Sequence, residues 1–86
     1  AVYTHWFITP NKFPYDAIFT THDLLVSKRV IATLADATPE ERAELENIKQ
    51  QLIAEARYGG ILENFPINQS KPGHIHYHLF VWKVSE

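Results

Sequence analysis

Cysteine is missing from this 86-residue chain. Its absence removes disulfide scaffolds, thiol catalysis and cysteine-based zinc sites in one step, and it fits a reducing compartment. A basic excess is missing too. With 8 Lys and Arg against 10 Asp and Glu the formal net charge is −2, which argues against a module that grips nucleic acid through a basic stripe. No apolar run approaches the ~20 residues of a membrane helix, and the first residues do not read as a signal peptide. Internal repeats, low-complexity tracts and interdomain linkers are likewise absent.

What is present is large and apolar. Hydrophobic residues make up 45% of the chain, with two Trp, four Tyr and five Phe among them. Disorder is a poor fit to such a composition. A chain this short buries only about two-thirds of the surface its unfolded form exposes, so bulky side chains must make its core dense. The expectation is one soluble domain spanning residues 1–86.

Aromatic and β-branched residues from Tyr3 to Thr9 predict a strand, and Pro10 and Pro14 break the following stretch into a loop. A second strand is predicted from Ile18 to Val26, then a short helical turn within Arg29–Leu34. Thr38-Pro39-Glu40-Glu41 is the clearest local signal: a capping hydroxyl, proline at the first helical position and Glu three residues after the cap. The helix is predicted from Pro39 to about Tyr58, with Leu45, Ile48, Leu52 and Ala56 on its buried face, Arg57 in its last turn, and Gly59-Gly60 as its left-handed cap. Ile61–Ile67 reads as an edge strand ending near Pro66, and His74–Val84 as a long inner strand. Strands on both sides of one main helix predict an α+β fold with an antiparallel sheet. The helix should pack on the sheet face that carries Ile75, Tyr77 and Leu79.

Three of the five histidines stand at His74, His76 and His78. Side chains alternate along a strand, so these imidazoles share one face at ~6.6–6.8 Å intervals. One histidine in a strand is most often packed or solvated. Three in alternation with Ile75, Tyr77 and Leu79 point to a row addressing one anionic ligand, with an imidazole as nucleophile or proton carrier. A metal site is the chemical rival, and it needs His5, His22 or Asp23 brought close.

The order His74-Ile-His76-Tyr-His78-Leu-Phe80 resembles the signature of the histidine triad (HIT) family, His-φ-His-φ-His-φ-φ with φ apolar. His22-Asp-Leu-Leu-Val-Ser-Lys-Arg-Val-Ile31 and Leu34-Ala-Asp-Ala-Thr-Pro-Glu-Glu41 resemble two further stretches of that family. Asn11-Lys-Phe-Pro-Tyr15 is similar to a segment of its dinucleoside-polyphosphate-hydrolase branches. The resemblance implies a nucleotide hydrolase or nucleotidyltransferase acting through a nucleotidyl-histidine. His76 would be the nucleophile, and His74 and His78 would hold the phosphate. Asn11, Asn68, Ser70 and Lys71 would bind the nucleotide, although Asn11 also suits a plain turn and Ser70 and Lys71 a solvated loop. It further implies a cytoplasmic homodimer with a small-molecule nucleotide as partner, no metal and no cofactor. Four departures accompany it: Val30 where many members carry His, a short 68–73 loop, a longer loop before His22, and no N-terminal hairpin. A nucleotide binder with little turnover is the alternative they suggest.

Overall fold

The computed structural model describes residues 1–69 and 73–83. Four strands, β1 (Trp6–Pro10), β2 (Phe19–Ser27), β3 (Gly60–Glu63) and β4 (His76–Trp82), form one sheet in the order β1-β2-β4-β3. Every pairing is antiparallel. One helix, α1 (Pro39–Glu55), lies between β2 and β3 in sequence, and two short 3-10 turns occupy Leu34–Asp36 and Pro66–Asn68. This is the α+β architecture expected, with β4 inside the sheet. Among the described residues no helix is long and apolar enough to cross a membrane.

α1 starts where its local chemistry says it should. The Thr38 hydroxyl accepts from the Glu41 amide at 3.1 Å, and the Glu41 carboxylate accepts from the Thr38 amide at 2.7 Å. Two otherwise orphaned amides are satisfied reciprocally. Arg29 clamps the same carboxylate through two nitrogens, at 2.8 and 3.2 Å. Its guanidinium and the Thr38 amide hold the Glu41 carboxyl down at about 2. The Trp6 indole N–H donates to the Glu41 carbonyl, and Glu44 accepts from the amides of His5 and Trp6. Those contacts fasten the chain entering β1 to the first turns of the helix.

The helix ends earlier than its sequence suggests. Ala56, not a glycine, takes the left-handed conformation at φ 54°, so Ala56 leaves the buried stripe and Arg57 lies beyond the last turn. Gly59 and Gly60 serve the sheet instead. The Gly59 amide donates to the Phe80 carbonyl, and the Phe80 ring lies across Gly60 so closely that a Cβ there would sit 2.6 Å from it.

The other boundaries move by a few residues. β1 and β2 run to Pro10 and Ser27, and the first turn is a 3-10 turn at Leu34–Asp36 rather than within Arg29–Leu34. β3 stops at Glu63 instead of Ile67, because Pro66, which has no N–H to give a ladder, opens the second turn. β4 begins pairing at His76; ahead of it the Ile75 amide donates to the Ile31 carbonyl at 2.6 Å. Val84 lies outside the described residues.

Leu45, Ile48 and Leu52 of α1 pack with Trp6, Leu25, Ile75, Tyr77 and Leu79 in one buried cluster. The helix therefore covers the sheet face predicted for it, and the histidine face is left to a different surface.

Candidate functional site

Register places the site. Val26 pairs with His76, Leu24 with His78 and His22 with Phe80 across the β2–β4 ladder. Directly paired residues share a face, so His22, Leu24, Val26, His76, His78 and Phe80 lie together opposite the helix. A cavity of about 580 Å³ opens on that face, lined by Phe7, Leu24 and Val26 from the sheet, Asn11, Lys12 and Phe13 from the loop after β1, and His74 with His76. His76 and His78 are buried, and His74 is half-buried.

Each imidazole has a different hydrogen-bonding partner. His74 donates from Nε2 to the Ser27 carbonyl at 2.8 Å. The His76 Nδ1 lies 3.2 Å from the His74 carbonyl. A carbonyl only accepts, so Nδ1 carries the proton and Nε2 keeps the lone pair. His78 meets His22, with His22 Nε2 2.7 Å from His78 Nδ1. Burial, together with the facing rings of His22 and His76, pushes the His78 imidazole down to about 4. His22 is also lowered, by its burial against the opposing pull of Asp23. Both rings are therefore neutral near pH 7.

Aromatic rings seal this end of the row. Tyr15 stacks on His78 at 5.7 Å and leans on His22 at 4.6 Å, while Phe19 lies between His22 and Phe80. His76 and His78 meet edge to face at 5.3 Å.

Asn11 comes to the site, but both ends of its amide are engaged. Its Oδ1 accepts from the Phe13 amide at 2.9 Å, and its Nδ2 lies against the His22 ring, 3.4 Å from Nδ1 and 3.3 Å from Nε2. Asn68 lies exposed on the second 3-10 turn. Asn64 is the asparagine beside the row, with its amide nitrogen 3.4 Å from His78 Nε2. Ser70 and Lys71 lie outside the described residues. Val30 is exposed, and the nearby Ser27 donates its hydroxyl to the Arg29 carbonyl.

The sequence did not single out Tyr15 or Asn64, and it offered His22 only as a ligand of the rival metal site. Alternation along β2 does align His22 with Leu24 and Val26, yet only the β2–β4 register brings it to His78. A metal centre gains no support: among the described residues no three His, Asp or Glu side chains gather to hold one. Asp23, on the opposite face, instead accepts from the Tyr58 hydroxyl at 2.5 Å.

Chemically, among the described residues the row offers unshared nitrogens on His74 and His76, with the neutral imidazole of His78 next to His76, beside a cavity with apolar walls and a cation, Lys12. The chain matches no family model and no curated protein.

Proposed function

We propose that the protein is a nucleotide hydrolase or nucleotidyltransferase of the histidine triad type, with His76 as its nucleophile. The observation that carries this reading is the His76 tautomer. Its Nδ1–H is committed to the His74 carbonyl, which leaves the Nε2 lone pair in a buried residue lining a cavity of about 580 Å³. In its neutral form such an imidazole presents the Nε2 lone pair directly to an electrophile in the cavity.

In the proposed reaction Nε2 of His76 attacks the phosphorus of a bound nucleoside monophosphate group. The N–P bond forms as the bond to the leaving group breaks, and a phosphate leaving group departs with the electron pair. The ring becomes cationic, and the His74 carbonyl accepting from Nδ1–H favours that charge as it develops. Water then attacks phosphorus, the N–P bond breaks, the lone pair returns to His76, and one proton passes to solvent. A different acceptor in place of water gives transfer rather than hydrolysis. The apolar walls from Phe7, Phe13, Leu24 and Val26 suit a base, and Lys12 suits an anionic group.

The test is acid-labile nucleotide label trapped on the protein from a nucleoside phosphoramidate or a dinucleoside polyphosphate. His76→Ala should lose both label and turnover while still binding the monophosphate, because it removes the covalent step more than the contacts. Binding of the monophosphate by a wild-type protein that neither labels nor turns over substrate would favour the silent nucleotide binder. The same reading carries a cytoplasmic homodimer, supported by the cysteine-free composition and by Ile53, Ile61 and Leu62 exposed around the edge strand β3. Sedimentation measures its assembly.

A further inference from the structure

The ladder between β2 and β4 ends at Val26 and His76, so Gly73 and His74 reach the site outside it. The residue that holds them is buried. Gln69 is 6% exposed. Its Nε2 donates to the Ala32 carbonyl at 3.3 Å and to the Asn64 carbonyl at 3.4 Å, and its Oε1 accepts from the Gly73 amide at 3.2 Å. Carbonyls only accept and a backbone N–H only donates, so all three partners agree on which way the Gln69 amide points. They come from three separate segments: the one after β2, the one after β3 and the one entering β4. Gly73 itself turns the chain at φ 85°, in the left-handed region that glycine adopts without strain.

We propose that Gln69 is a positioning residue for His76, acting through the peptide between His74 and Ile75. That peptide is planar and trans, so its N–H and C=O point in opposite directions. On one side the Ile75 amide donates to the Ile31 carbonyl at 2.6 Å, and on the other the His74 carbonyl lies 3.2 Å from His76 Nδ1. The bond to Ile31 therefore sets where the His74 carbonyl points, and that carbonyl accepts the Nδ1 proton of His76. Gln69 brackets this peptide. One end of its amide holds Ala32, next to Ile31, and the other holds Gly73, next to His74. The His74 ring has its own anchor on the Ser27 carbonyl, but that contact fixes the ring and not the backbone carbonyl. The same Gln69 nitrogen holds the Asn64 carbonyl, and the Asn64 side chain lies 3.4 Å from His78 Nε2. One buried amide thus ties the entry of the histidine row to the segment beside its far end.

The inference rests on the proposed function only for its consequence in turnover; the hydrogen bonds are independent of it. Gln69→Met keeps an unbranched side chain of similar length and deletes all three bonds. Side-chain nitrogen NMR at neutral pH should show wild-type His76 protonated on Nδ1, and in Gln69→Met the two His76 nitrogens should move toward averaged positions. Hydrogen exchange should quicken about two- to tenfold at Gly73 and Ile75, the weight of one hydrogen bond, with Leu79 in the middle of β4 unchanged. A residue that only stabilised the fold would speed exchange along the whole strand and leave the native His76 ring alone. Labelling of His76 by nucleotide should slow by a similar factor, with affinity for the monophosphate unchanged. Gln69→Asn, one methylene shorter and too short to bridge Ala32 and Gly73, serves the same test should Gln69→Met fail to fold. A folded variant with the wild-type His76 spectrum overturns the proposal, and so does a wild-type His76 protonated on Nε2. A wild type that shows the expected spectra but takes no label loses the proposed function and keeps the positioning.

Discussion

Acid should loosen this fold through His78 before it touches the carboxylates that hold the helix. The His78 imidazole, ordinarily near 6.5, is pushed down to about 4 in the folded protein, chiefly by burial. In the unfolded chain it regains its ordinary value. Between the two values the unfolded chain takes up a proton that the folded protein refuses, so stability falls as pH drops from about 6.5 and levels off below about 4. At ~1.4 kcal/mol per pH unit the displacement is worth at most ~3.5 kcal/mol, and relaxation and screening within the folded protein reduce it to about 1–2 kcal/mol. His22 adds to the same slope, since it too is lowered by burial. Glu41 has the opposite sign of charge but the same direction of dependence. Its carboxyl is held at about 2, so its contribution is intact above the ordinary 4.5 and is lost as pH falls through about 2. Urea unfolding of wild type and His78→Gln, from about pH 7 to about pH 4.5 at constant ionic strength, separates these effects. The variant will be less stable at neutral pH, because it loses a buried ring. Its curve against pH should nonetheless be flatter by about 1–2 kcal/mol, and subtracting the curves removes the carboxylates. Parallel curves would refute the reasoning.

Thr38→Ala removes one half of the reciprocal cap on α1 and should cost about 0.5–2 kcal/mol in thermal or urea unfolding. Gly60→Ala drives a methyl into the Phe80 ring, itself stacked on Phe19 at 4.6 Å, so it should destabilise the protein and shift the near-ultraviolet aromatic signal. Asn11→Ala removes bonds made within the protein, so it should cost ~0.5–1.5 kcal/mol of stability and change ribonucleotide and deoxyribonucleotide binding equally. Calorimetry showing a loss confined to the ribonucleotide would instead point to a hydroxyl contact.

The parts of the fold legible in the sequence are those whose causes are local. Thr38 and Glu41 satisfy each other within one turn, and the stripe of Leu45, Ile48 and Leu52 needs only the helical period. The end of α1 has no such local cause. The sequence puts two glycines at 59 and 60, a composition that reads as a cap. Yet the Gly59 amide is needed by the Phe80 carbonyl and Gly60 must pass under the Phe80 ring, so the chain has to turn earlier, at Ala56. That constraint comes from a residue more than twenty positions downstream. The same holds for the short β3, whose pairing stops as the backbone turns toward Pro66.

The histidine row divides along the same line. Alternation alone aligns His76 with His78, and a strand period is enough to see it. It makes the two rings equivalent, and the tertiary structure makes them different. His76 gives its Nδ1–H to a carbonyl two residues back and keeps Nε2 free, whereas His78 turns Nδ1 toward His22, fifty-six residues away in sequence. What each ring meets is thus a property of register and of the Tyr15 amide that reaches His22, not of the motif. The two rings therefore meet different partners, one along its own segment and one across the sheet. A sequence carrying the same three histidines on a strand without His22 opposite would keep the row and lose that difference.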